Sequence, residues 1–347
     1  LRFTIQATLA ILFLINYMLI YDKIKFLIHF TKELHMEHSI TPYTLRCFNS
    51  EYIAKEEKIF HDGTSNKRYM PTNQLLGYDL FSLLKEFLVG NTKENKIIED
   101  KKLMYKVEDL VINEDKRLIY GYIQKGTWGL PALIQDAQGQ KPDYPMSHLQ
   151  AAMLRHFFYI YLPLEQAEGI CLFHSIGING IKTIFEDEFK QYFQSKLPNS
   201  HLQYNPLQYS EIYKEWENAI AKKIIVNKFN KTQSDRADTI NNAIGENEQT
   251  LIIKIKNPVT TLINFFSGGS QEKEMIEIIE NDGSQVKGEF ELDGKKRTLR
   301  LGRQRSAKCD IVIDSNDVHS EEGVLNHEEL LSFCDSLTQG IIERIYP

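Results

Sequence analysis

The sequence predicts an α+β protein: a largely antiparallel sheet with packed helices, followed by a smaller mixed C-terminal domain that contains a basic β-hairpin. Strand-like stretches follow one another across short polar links, NEDKR at 113–117 and PLEQAE at 163–168. Links that short join antiparallel neighbours, because parallel ones need a crossover of about a dozen residues or more. Between and after them, apolar residues recur at helical spacing and form broad faces. The 347 residues are 42% hydrophobic and 25% charged, which is a globular composition and excludes a wholly disordered chain. The boundaries fall at 1–35 (an apolar N-terminal segment), 36–200 (the α+β domain) and 201–347 (the mixed domain, with a polar, linker-like run over 230–249).

Phe3 to Tyr21 carries no charge. As a helix it would be roughly 28 Å long, the thickness of a hydrocarbon core. Two readings stand. In one it anchors the chain in an inner membrane, with Lys23, Lys25 and Lys32 outnumbering Arg2 and holding the body on the cytoplasmic side. In the other the protein begins at Met36 rather than Leu1, and the body is simply cytoplasmic. Thr41 to Phe48 then alternates as a first strand, and Tyr78 to Leu88 is a helix with Leu80, Phe81, Leu84, Phe87 and Leu88 inward. Strands follow at Met104–Ile112, Leu118–Gln124, Gly129–Asp136, His156–Leu162 and Gly169–Ser175. A helix over Ile181–Phe193 presents Ile184, Phe185, Phe189 and Phe193 to the sheet.

Between the last strand and that helix lies HSIGINGIKT (174–183), whose glycines suit a tight turn. It lacks both the GK[ST] of a P-loop and the GxGxxG of a dinucleotide site. In the second half, Asn205-Pro206 reads as the start of a helix reaching Ala221, with Tyr209, Ile212, Trp216 and Ile220 in register. Strands at Lys222–Phe229 and Leu251–Lys256, a short helix at Glu272–Glu280 and a hairpin over Val286–Leu301 turning at Asp293-Gly294 complete the mixed domain. A final helix over Asn326–Ile345 carries Leu330, Leu331, Cys334, Leu337 and Ile341 as its buried stripe.

Charge is the feature that points to function. The chain has a net charge of -6, yet Lys295, Lys296, Arg297, Arg300, Arg303, Arg305 and Lys308 follow one another with no acid among them. Arginine forks suit bidentate contact with phosphate, so this run is the candidate nucleic-acid-binding surface, with DNA or RNA as the partner. Lys222, Lys223, Lys228, Lys231 and Arg236 form a thinner second run that could extend it. Two structural readings compete. Lys and Arg protect exposed strand edges, and the acids from Asp310 to Glu329 could neutralise the patch within the fold.

Catalytic signals are thin and the catalytic residues are unknown. Cys47, Cys171, Cys309 and Cys334 are too scattered for a disulfide framework or a zinc ribbon. Cys309, His319, His327 and Cys334 match no common metal spacing, and Cys171 and His174 sit on opposite faces of one strand. No cofactor is implied. The expected function is therefore non-catalytic binding of nucleic acid or another polyanion through 295–308. The alternatives are an interaction or assembly protein with a protein partner, membrane-tethered only if 3–21 is an anchor, and a metal-dependent nuclease or hydrolase using dispersed acids.

Overall fold

The computed structural model describes residues 37–207, 218–229, 248–255, 260–265, 270–281, 285–292, 295–301 and 310–346. Along the first half run β1 (His38–Asn49), β2 (Tyr69–Met70), α1 (Leu80–Gly90), β3 (Lys96–Ile98), β4 (Leu103–Asn113), β5 (Leu118–Thr127), β6 (Ala132–Ile134), β7 (Tyr144–Met146), β8 (Leu154–Tyr161), β9 (Glu168–Ile176), β10 (Asn179–Gly180), α2 (Lys182–Lys196) and β11 (Ser200–Pro206). The second half contributes β12 (Ile220–Phe229), β13 (Glu248–Lys254), α3 (Gln271–Asn281), β14 (Gln285–Leu292), β15 (Lys295–Leu301), β16 (Ile311–Val312), β17 (Ser320–Glu321), β18 (Val324–Leu325) and α4 (His327–Ile345). The fold is α+β, with a large antiparallel sheet and four α-helices among the described residues.

Fourteen strands share that sheet, in the order β13-β12-β14-β15-β16-β1-β9-β8-β5-β4-β3, with β2, β10 and β11 attached beside it. Its organising strand is β1. One edge of β1 pairs with β9 from His38↔Ile176 to Arg46↔Glu168. The other edge is divided between β16, at Ser39 and Ile40, and β11, from Tyr43 to Asn49. Strands from 36–200 and from 201–347 therefore belong to one sheet.

Two hydrophobic cores lie on opposite faces. Consecutive residues of β8 and β9 alternate between them: Phe157, Tyr159, Ile170 and Leu172 face one core, while Phe158, Ile160, Cys171 and Phe173 face the other. That double burial explains why both strands read as nearly unbroken apolar runs, where a half-exposed antiparallel strand would alternate. The first core is closed by α4, whose Leu330, Cys334, Leu337 and Ile341 are buried. The second is closed by α1 and α2. Phe87 of α1 lies 5.2 Å from Phe189 of α2, and Phe185 lies 5.1 Å from Phe173 of the sheet.

Helix starts follow their caps. Asp79 accepts from the Phe81 N–H at the head of α1 and is gripped by Arg117 at 2.6 Å, while Asn326 accepts from the Glu329 N–H at the head of α4. Tyr159 Oη donates to Asp335 at 2.7 Å, tying α4 to β8.

Several expectations change in detail. Pro206, read as the start of a helix, ends β11 opposite Tyr43, and Ile220 already opens β12; residues 208–217 of that stretch lie outside the described residues. A terminal strand position suits proline, which has no N–H to give to a ladder. The strand read over Gly129–Asp136 is the short β6, paired with β7 in a separate ribbon. The glycine-bearing junction after β9 is a tight turn: Gly177 takes φ +57 and β10 folds back onto Ile176 and Ser175. No helix among the described residues is long and apolar enough to cross a membrane, and residues 3–21 lie outside them.

Candidate functional site

The basic runs come together through the sheet. β12 and β15 both pair with β14, so Lys222, Lys223 and Lys228 on one strand lie a single strand away from Lys295, Lys296, Arg297 and Arg300 on the other. Two strand spacings amount to about 10 Å. Register runs Lys223↔Glu289↔Thr298 and Ile225↔Lys287↔Arg300 across the three strands. Together β12, β14 and β15 carry eight Lys or Arg and two Glu, an excess of positive charge in a chain whose total is negative. Lys231, Arg236, Arg303, Arg305 and Lys308 lie outside the described residues.

Both glutamates of β14 are engaged from the β12 side. Lys223 Nζ lies 2.7 Å from Glu289, and Lys222 Nζ lies 3.5 Å from Glu291, at the bulge that offsets Ala221 from Lys223. Lys287 pairs with Glu37, which precedes β1. Three of the acids that follow the basic run have partners close at hand. Asp310 accepts from Thr41 Oγ1, Asp314 holds its own turn by accepting from the Asn316 N–H, and Glu329 accepts from the His319 N–H at 2.6 Å.

A second locus carries chemistry that no local sequence signal marked. Arg46 is 1% exposed on β1, directly opposite Glu168 on β9. Its Nε donates to Glu168 Oε1 at 2.7 Å and its Nη1 donates to Asp62 Oδ2 at 2.8 Å. The guanidinium also lies over the Phe60 ring, 3.9 Å from its centroid. His61 Nδ1 is 3.4 Å from Glu168 Oε2, on the side that the arginine does not occupy. Burial raises the Asp62 carboxyl, but hydrogen bonds from Arg46 and Thr64 together outweigh it, and the group sits below its ordinary range.

Beside this cluster opens a cleft of ≈ 750 Å³, walled by Tyr52, Phe60, Tyr69 and, from the end of α4, Ile345 and Tyr346. Tyr346 Oη donates to the Glu168 carbonyl at 2.6 Å, so the last residues of α4 close the same corner. The described residues lining the cleft include no Ser, Thr, Cys or His. The cleft offers a ligand aromatic surface, amides and the charged side chains of Lys55, Glu56, Lys58 and Glu165.

At the far end of the β1–β9 ladder sit three buried histidines. His174 Nδ1 accepts from the Phe157 N–H, which leaves its proton on Nε2, donated to His38 Nδ1 at 2.9 Å. The His38 and His174 rings stack with centroids 5.1 Å apart, and His156 lies 5.8 Å from His174. Burial pushes the His156 imidazole down to about 4, with Lys125 adding to it, and burial plus the neighbouring rings hold His174 well below the ordinary imidazole range. His156 and His174 are therefore neutral near pH 7. Among the described residues, no group of three or more His, Cys, Asp or Glu side chains is arranged to hold a metal ion.

No protein-family model matches the chain, and no curated protein sequence matches it.

Proposed function

We propose that this protein binds polyanions without chemical turnover, nucleic acid first, through the basic sequence run 295–308 and the neighbouring strands β12 and β14. The observation that carries this reading is that strand register puts the positions of Lys223, Lys287, Lys296 and Arg300 on one face of three adjacent strands, with Glu289 and Glu291 as the acids of that face. A strand surface of this kind would track a phosphate backbone and read little sequence. The affinity of such a surface falls steeply with salt, because each neutralised phosphate releases counterions.

The test is binding of fluorescent duplex DNA and single-stranded RNA over a salt series. Wild type should bind with a steep negative slope of log affinity against log salt. The triple variant Arg300→Glu, Arg303→Glu, Arg305→Glu should lose at least about tenfold in affinity and flatten that slope by roughly three contacts' worth. Equal binding by wild type and the triple variant, with both folded, rejects the proposal. A second reading, an interaction or assembly protein, is favoured by the apolar ribbon of β6 and β7.

A further inference from the structure

The cleft beside Arg46 is walled by parts of the chain that are far apart in sequence: the loop after β1, the residues after β2, the turn before β9 and the end of α4. Its volume of ≈ 750 Å³ is that of a small-molecule site. The aromatic walls are fixed from behind. Phe60 has the Arg46 guanidinium over one face, 3.9 Å from its centroid, and meets Tyr69 edge to face at 5.4 Å. Tyr69 is held in turn by Phe48 at 5.6 Å and by donating to Gln203 at 2.9 Å. Tyr346 is held by its bond to the Glu168 carbonyl. Both tyrosine hydroxyls are engaged inside the protein, so these side chains offer ring surface. Walls locked in this way lose little freedom when a ligand meets them.

The polar groups narrow the ligand further. Lys55 and Lys58 are balanced by Glu56 and Glu165, so the lining carries no net charge that would select an ion. Arg46 already fills the place of a cation over Phe60. The side-chain amides of Gln74 and Gln166 hold no hydrogen bond to another described residue, and each can donate and accept at once. Glu168 also lines the cleft and is 1% exposed; its Oε1 accepts from Arg46, while its Oε2 accepts no hydrogen bond and has His61 Nδ1 3.4 Å away. A buried acceptor without a donor is costly, and a ligand N–H that reaches it removes the cost.

We infer that this cleft is a site for an unpaired nucleobase, carried by a free nucleoside or by a single strand of nucleic acid. A base is flat and uncharged, stacks on aromatic faces, and has an edge of donors and acceptors that side-chain amides match. An aliphatic ligand of the same size would leave the two amides and Glu168 unpaired. An exocyclic amine turned toward Glu168 supplies the missing donor, so adenine, guanine and cytosine fit better than uracil. None of the basic strand residues lines the cleft, so the site stands apart from the polyanion surface proposed above.

Calorimetry and saturation-transfer NMR on the full chain test this with adenosine, cytidine and uridine, in about 0.5 M salt, where phosphate contacts are suppressed. Adenosine and cytidine should bind, and uridine should bind at least about fivefold more weakly. Tyr52→Ala and Gln74→Leu should each weaken adenosine at least about fivefold, the first by loss of stacking and the second by loss of an edge contact. Gln74 is exposed, so its variant should keep the wild-type Tm and guards against misfolding of the other. The triple variant Arg300→Glu, Arg303→Glu, Arg305→Glu should bind adenosine as wild type does, which separates this test from that of the basic surface. A short adenine single strand that displaces adenosine assigns the cleft to nucleic acid, and one that does not assigns it to a free nucleoside. No binding of adenosine or cytidine at about 10 mM overturns the proposal. So does binding that neither folded cleft variant weakens, or that the triple variant abolishes. Equal affinity for uridine overturns the part given to Glu168.

Discussion

The two ends of the β1–β9 ladder bury polar side chains by opposite means. At Arg46↔Glu168 the groups are charged and held by direct contact, with Asp62 taking the second arm of the guanidinium and Phe60 covering its face. Eight residues along β1, His38 stacks on His174 and shares a hydrogen bond with it, and burial drives His174 and its neighbour His156 to their neutral form, so no ion pair is made. A guanidinium cannot give up its charge at any pH a folded protein meets, so it must be matched; an imidazole can give up its charge, and does. The charged end is therefore vulnerable to loss of a partner, and the neutral end is vulnerable to acid.

The largest effect that would break this comparison comes from Glu168→Ala. It leaves the buried guanidinium with Asp62 as its remaining carboxylate contact, and should cost about 3–5 kcal/mol in urea unfolding. Replacing both partners, Arg46→Met with Glu168→Leu, should recover most of that loss, since apolar substitutes of similar size often match a buried pair. A single-variant loss under about 1 kcal/mol would place the pair among surface bridges and end the distinction.

The neutral end is tested by pH. His156 titrates near 4 in the folded protein against 6.5 unfolded, so the folded pKa is depressed and the unfolded state takes up the proton first as pH falls. Stability from this group is complete above pH 6.5, declines by about 1.4 kcal/mol per pH unit below it, and levels off under pH 4 after a loss of roughly 3 kcal/mol. His156→Leu should leave stability at pH 7 nearly unchanged and make the decline shallower between pH 6.5 and 4. An unchanged acid profile would mean that the histidines titrate freely. The smallest effect belongs to an exposed pair of the same chemistry as the charged end. Lys101→Ala removes the bridge to Asp187, 2.8 Å long with both side chains nearly half exposed, and should leave the urea unfolding midpoint close to that of the wild type. Equal costs for Lys101→Ala and Glu168→Ala would show that burial adds nothing to the ladder's pair.

Legibility in the sequence followed contact range. The helices at 80–90, 182–196 and 327–345 announced themselves because apolar spacing and caps such as Asp79 and Asn326 act within one turn or two. The strand β1 was visible from its alternation, but its polar positions Ser39, Thr41, Thr44 and Arg46 are buried as well, since helices and strands cover both faces. Nothing within a few residues of Arg46 marks its partner, because Glu168 is 122 positions away and meets it only through strand register. The basic stretches were readable as charge runs, and that Lys222–Lys223 and Lys295–Arg300 flank one common strand was not.

Composition, periodicity and turn chemistry were enough for the α+β class, for which residues face inward along each helix and for where positive charge is concentrated, because each of those depends on neighbours in the chain. The choice of partners across the sheet belongs to the folded state alone. It places Arg46 against Glu168 and gathers three distant histidines. The reason is physical: backbone hydrogen bonds pair any strand with any other, and only the packing of two cores on one shared sheet selects which register survives.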